Sequence, residues 1–194
     1  MIILIDNGHG INTPGKCSPD KTLYEWKYTR EIAVELVSQL NELGYKAVQL
    51  VTESKDIGLS QRCKRVNEYC AKYGSSNVLL ISIHINAAGS DGKWHNASGW
   101  SGWVYTKASL KSRLLAQTLY QEAKKRKLQG NRSVPKGEYW TANFQILRDT
   151  NCPAVLTENL FQDNKREVEY LLSEEGRKNI VDLHLQGVIN YLNA

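Results

Sequence analysis

Apolar and polar positions along the chain change period repeatedly, and each change marks an element. Ile2 to Ile5 is an unbroken apolar run ending at Asp6 and Asn7, which predicts a buried strand and is far too short for a signal-peptide core or a membrane span. Leu23 to Leu43, closed by Gly44, predicts the first helix, and Lys46 to Val51 a second strand. From Leu59 to Tyr73, the residues Leu59, Cys63, Val66, Cys70 and Tyr73 fall at helical spacing. Val78 to Ile83 is continuously apolar, as suits a strand covered on both faces. Trp100 to Tyr105 predicts a strand, Leu110 to Lys127 a helix, and Phe144 to Leu147 and Ala154 to Leu156 two short strands. Glu167 to Leu172 and Arg177 to Leu192 predict the closing helices.

Strands and helices therefore alternate from end to end, with no repeat, linker or low-complexity tract between them. The expectation is a single α/β domain over residues 1–194: a twisted, mixed but largely parallel central sheet of about six strands with helices on both faces. Gly130 to Tyr139 is the least regular stretch and is expected to be a loop lining a site. Ala87 to Ser101 is rich in glycine, serine and asparagine, with Trp94, Trp100 and Trp103 in or beside it. Of these, Trp94 is the binding candidate; at least one of the other two is expected in the core or at its rim.

Charge and cysteine content narrow the function classes. With 25 Lys and Arg against 20 Asp and Glu the net charge is +5, which favours anionic surroundings but is too small to argue for nucleic acid. The basic run Lys124 to Lys127 closes a predicted helix, where cations complement the dipole. Cys17, Cys63, Cys70 and Cys152 form no CxxC pair, so neither a zinc ribbon nor a redox motif is present and free thiols are expected.

Three side chains capable of holding a metal stand where a strand ends or a helix begins. His9 follows the first strand in Asp6-Asn7-Gly8-His9-Gly10, and its glycines let the backbone turn tightly beside a ligand. His84 ends the most apolar strand, and in an open α/β sheet ligands bind beyond the carboxyl ends of the strands. Glu25 admits two readings. Thr22-Leu23-Tyr24-Glu25 has the form of a capping box, yet Glu25 also shares a helical stripe with Thr29, Ile32 and Leu36, where an inward carboxylate needs a cation. Two histidines and a carboxylate with a fourth position left for water make a catalytic zinc site. Glu158, after the apolar run Ala154-Val155-Leu156, is the candidate proton carrier, or else an ordinary loop carboxylate. His184 falls among Val181, Leu185 and Val188 and reads as a packed histidine, and His95 as a surface one.

Taken together these motifs closely resemble the zinc N-acetylmuramoyl-L-alanine amidases of the type 3 class, the catalytic domains of bacterial autolysins and phage endolysins. The resemblance covers nearly the whole chain. Asp6-Asn7-Gly8-His9-Gly10 is similar to the first zinc motif, Glu25 to the helical glutamate, and Ser82-Ile83-His84-Ile85-Asn86-Ala87 to the second histidine motif. Gln145 to Thr150 and Pro153 to Glu158 resemble the stretch that leads to the catalytic glutamate. The chain departs from the family at Ile11-Asn12-Thr13-Pro14, which bears on the shape of the first loop.

The resemblance implies one Zn2+ held by His9, Glu25 and His84, with Glu158 catalytic and Asn86, Trp94 and Arg148 as candidate substrate contacts. It implies cleavage of the amide between N-acetylmuramic acid and L-alanine. The competing readings are a zinc peptidase acting on the stem peptide and a catalytically inert wall-binding module. The expected partner is bacterial peptidoglycan, with no nucleic acid and no membrane insertion, and the expected state is a monomer without a separate wall-binding domain. No signal peptide is visible, so the protein is expected to be made in the cytoplasm and to reach the wall by an unknown route, by holin-type lysis or after loss of a leader.

Overall fold

The computed structural model describes all 194 residues. Six strands form one sheet in the order β2-β1-β3-β6-β4-β5, comprising β1 (Ile2–Asn7), β2 (Lys46–Gln49), β3 (Val78–Asn86), β4 (Ser101–Tyr105), β5 (Trp140–Ala142) and β6 (Ala154–Phe161). Neighbours are parallel except β4 and β6, so the expected mixed, largely parallel sheet is present. The helices are α1 (Glu25–Glu42), α2 (Leu59–Tyr73), α3 (Leu110–Lys125), α4 (Gln145–Arg148), α5 (Lys165–Leu172) and α6 (Glu174–Leu192). None is long and apolar enough to cross a membrane.

Side chains alternate across a strand, and the continuous apolar runs of β1, β3 and β6 supply two cores at once. Ile3, Ile5, Leu79, Ile81 and Val155 join α1, α3 and α6 in the larger cluster. Leu4, Leu80 and Leu156 join Cys63, Val66 and Cys70 of α2 and Ile146 and Leu147 of α4 in the smaller one. The second face is the more thinly covered. Toward the strands' carboxyl ends its apolar positions give way to Asp6, Ser82, His84 and Glu158, and there the candidate site forms.

Two elements differ from expectation. Phe144 to Leu147 is not a strand: Gln145–Arg148 is a single helical turn that buries the adjacent residues Ile146 and Leu147 against α2, while Phe144 is left exposed. Strand alternation cannot bury two successive side chains on one face, but a turn of helix can. The sixth strand is instead Trp140–Ala142, a three-residue edge beside β4.

Candidate metal centre

His9 lies two residues past the end of β1, and the left-handed backbone falls on the histidine itself, with φ of +60°. The flanking glycines serve close approach instead. A Cβ on Gly8 would sit 2.5 Å from Nδ1 and Cε1 of His84, and one on Gly10 would sit 2.0 Å from the Asp56 nitrogen. A non-glycine residue held left-handed costs about 1–3 kcal/mol, so something must hold it. Arg62 does. From α2 its guanidinium donates to Asp6 Oδ1 (2.5 Å), to the carbonyls of Asn7 (2.7 Å), His9 (3.3 Å) and Ile57 (2.6 Å), and to Asp56 Oδ1 (3.0 Å).

Glu25 opens α1 over the ends of β1 and β3, and the capping box does not form: the helix starts after Tyr24 with no side-chain cap. Its carboxylate turns inward. Oε1 accepts the Ile85 N–H at 2.9 Å and lies 3.2 Å from His84 Nδ1 and 3.4 Å from His9 Nε2, while Oε2 is buried with no partner. One ligating atom from each of His9, Glu25 and His84 lies within 4.8 Å of the others. Burial by itself would raise the Glu25 carboxyl, but hydrogen bonds to His84 and His9 and the charges of those rings hold it below the usual range. Burial pushes His84 down, and Glu25 beside it more than offsets this, so its pKa is raised.

Glu158 sits beside His84 in the parallel β3–β6 register, and neighbours in register share a face of the sheet. Its Oε2 is buried without a partner, and burial pushes its carboxyl up to about 7 against the opposing charge of His84. On its other side, Ser101 of β4 stands opposite Glu158 in the antiparallel pair. Beyond Glu158 the residue Leu160 is left-handed (φ +67°), and the β3–β6 register slips, so that Phe161 pairs with Asn86.

The remaining candidates scatter. Asn86 ends β3 two residues beyond His84, and its Oδ1 accepts the N–H of Ala87. Trp94 is exposed and lines a polar cavity of about 620 Å³ with His95, Asn96, Asn131, Lys165 and Arg166. Arg148 is not brought to the His9–Glu25–His84 cluster. It is exposed, pairs with Asp149 (2.7 and 3.0 Å), and lines a cavity with Pro153 and Ala154, at the opposite end of β6 from Phe161. His95 pairs with Asp91 in its loop, and Trp100 is buried. His184 is buried too, donating from Nδ1 to the Ile180 carbonyl (2.7 Å) and accepting the Thr157 hydroxyl at Nε2 (2.9 Å).

Sequence reasoning missed Arg62, Asn159 and Arg132. Asn159 donates to the His84 carbonyl (2.9 Å) and accepts the Trp100 indole N–H (2.8 Å), tying the histidine strand to the core. Arg62 lies on the same buried stripe of α2 as Cys63 and Val66, and a charge on such a stripe was the available signal.

Comparison with known proteins shows the family of the chain and its fold. A family model described as N-acetylmuramoyl-L-alanine amidase matches residues 3–190. The amidase CwlM of Bacillus licheniformis is 31% identical over 193 residues, covering 98% of this chain and 68% of that protein. An endolysin of Bacillus phage SPP1 is 28% identical over 203 residues, covering 99% of this chain and 66% of its own length. The crystal structure of an N-acetylmuramoyl-L-alanine amidase from Clostridium difficile 630 superposes with a TM-score of 0.84 at 29% identity, covering 100% of this chain and 97% of that one.

Proposed function

The chain belongs to the N-acetylmuramoyl-L-alanine amidase family, and we propose that His9, Glu25 and His84 hold a zinc ion in it while Glu158 carries the proton of the reaction. It is a peptidoglycan hydrolase, and the bond opened is the amide between the lactyl group of N-acetylmuramic acid and L-alanine. The observation that carries the zinc assignment is the cluster of three ligating atoms within 4.8 Å, built around a buried carboxylate with an unpartnered oxygen. Two imidazoles and one carboxylate are the donor set of catalytic zinc sites. A buried carboxylate oxygen without a partner is costly, and a cation offsets that cost.

When bound, such an ion supplies Lewis acidity, acidifying a water and polarising the amide carbonyl. The protein's own groups do the rest. Glu25 is fixed in place by the Ile85 N–H, which its Oε1 accepts. Asn159 holds the His84 backbone. Glu158, one strand over, takes a proton from the attacking water at its carboxylate and returns it to the leaving nitrogen, the ordinary work of a carboxylate within reach of both. Residues 1–194 act as one catalytic unit.

The test is product analysis on purified walls with metal analysis alongside. The protein as purified, supplied with zinc, should release peptide with a free L-alanine amine and leave the lactyl carboxylate on the glycan, and a chelator should stop it. Glu158→Gln should keep its zinc and lose activity by a hundredfold or more, about the share a general base supplies. His84→Ala should lose the metal. A fully active Glu158→Gln protein, or a fully metallated His84→Ala protein, would refute the corresponding role.

A further inference from the structure

Arg132 stands in the irregular segment Gly130 to Tyr139 and is half-buried, yet it enters no ion pair. Its one hydrogen bond within the chain is a long contact of 3.5 Å from NH1 to Ser101 Oγ. Three rings surround it: the guanidinium carbon lies 5.7 Å from the centroid of Trp103, 5.6 Å from Trp140 and 5.7 Å from Phe161. Trp103 is in turn held by its indole N–H, which donates to the same Ser101 hydroxyl at 3.0 Å. Ser101 is the strand neighbour of Glu158, and Phe161 lies three residues beyond Glu158 on β6. A cation is therefore caged by aromatic faces one strand away from the proton carrier, with most of its donors unspent.

An aromatic cage fixes a guanidinium in place and leaves its planar fork free to pair with a carboxylate. Amidase chemistry decides which carboxylate. The lactyl acid of muramic acid is consumed in the scissile amide, so the glycan next to the bond carries no ionised group, whereas the stem peptide does. Distance selects among the stem's acids. Ser101 and Glu158, directly opposed, stand about 5 Å apart at Cβ, the Arg132 guanidinium lies 3.5 Å beyond Ser101 Oγ, and two extended residues span at most about 7 Å. That reach matches an α-carboxylate on the second stem residue, left free where the stem continues through that residue's side-chain carboxyl, when the scissile bond lies at Glu158.

We propose that Arg132, caged by Trp103, Trp140 and Phe161, binds the α-carboxylate of the second stem residue and so makes this enzyme prefer stems that carry a free acid there over stems that carry a carboxamide. The assignment rests on the amidase activity proposed with Glu158. Charge-assisted pairing of this kind is worth about ten- to a hundredfold in kcat/KM when one partner becomes neutral.

The experiment uses the zinc-loaded protein and two synthetic disaccharide tripeptides that differ only at the second residue, α-carboxylate in one and α-carboxamide in the other. Wild-type protein should cleave the acid at least tenfold more efficiently, mainly through a lower KM. Arg132→Met, which keeps an apolar stem between the rings, should lose that preference by slowing the acid substrate alone, with zinc content and melting temperature unchanged. Arg132→Lys, which keeps the charge but not the fork, should retain part of the preference and serves if the Met variant does not fold. Equal cleavage of both substrates by wild type would overturn the inference. So would an equal loss on both in the variant, which would mark a structural or oxyanion-stabilising role. If wild type releases no L-alanine-terminated peptide from either substrate, the amidase reading itself falls and takes this inference with it.

Discussion

Replacing Arg62 with Met should destabilise the protein severely and weaken metal binding at a site where the side chain touches the His9 carbonyl but none of the ligating atoms. The guanidinium is 2% exposed, and all five of its N–H groups are spent, on two carboxylates and three carbonyls. Met fills much of the same space but leaves Asp6, itself 1% exposed, with the Ser82 hydroxyl as its remaining hydrogen-bond donor. Breaking a buried ion pair from one side costs about 3–5 kcal/mol, because the surviving charge stays desolvated. In a chain of this size that lowers the melting temperature by about 6–20 °C. The carbonyl of left-handed His9 loses its anchor as well, and loosening a group that orients a ligand typically costs tenfold or more in metal affinity. Urea unfolding gives the stability, and competition against a fluorescent chelator gives the zinc affinity. Arg62→Met combined with Asp6→Asn should recover at least half of the lost stability, since the uncompensated charge is gone. An Arg62→Met protein within about 1 kcal/mol of wild type would refute the reasoning, as would a double variant no more stable than the single one.

His184 makes stability depend on pH. Burial holds its pKa at about 4, below the ordinary 6.5, so between those values the unfolded chain binds the extra proton. Stability should be full above pH 6.5 and fall as pH drops toward 4, by about 3 kcal/mol, and His184→Gln should flatten that slope in urea titrations across the window. Gly8→Ala drives a methyl into the His84 ring, and zinc affinity by chelator competition should fall about tenfold or more while the fold survives. Zinc at a hundred times its dissociation constant should stabilise the metal-free protein by about 2.7 kcal/mol, read as a rise of about 5–10 °C in melting temperature that the His84→Ala variant does not show.

The elements legible in the sequence were those whose burial pattern follows a single period over several turns or residues. Leu59 to Tyr73 was bounded to the residue: Cys63, Val66 and Cys70 of its stripe pack on one side of the sheet, and the stripe keeps its period out to the exposed ends Leu59 and Tyr73. β3 was recognised from its apolar run but extends to Asn86, past Ile83 where pairing with β1 ends, since pairing with β6 continues through His84 and Asn86. Phe144 to Leu147 misled for the opposite reason: four residues are too few for a period to declare itself. β5 is shorter still and is held by pairing with Trp103 to Tyr105, a contact with nothing local to announce it.

The site was legible to the extent that its residues contradict their surroundings. Glu25 occupies a helical stripe otherwise apart from water, His84 interrupts an apolar strand, and the structure brings both to one point. Such local contradictions are where function is expected, since a sequence selected only for folding would not keep them. The same criterion applied one step further would have found the support. Asp6, Ser82, Thr157 and Asn159 are fully buried polar residues at the carboxyl ends of β1, β3 and β6, and Arg62 is a buried charge on the stripe of α2. Each is paid for by a specific partner: Asp6 by Arg62 and Ser82, Thr157 by His184, and Asn159 by Trp100 and the His84 carbonyl. What one sequence does not supply is the pairing itself, because Asp6 and Arg62 are 56 residues apart and only the fold makes them neighbours. Arg132 lay beyond even that criterion. In an irregular loop a basic residue contradicts nothing, and its meaning comes entirely from the three rings that the sheet assembles around it.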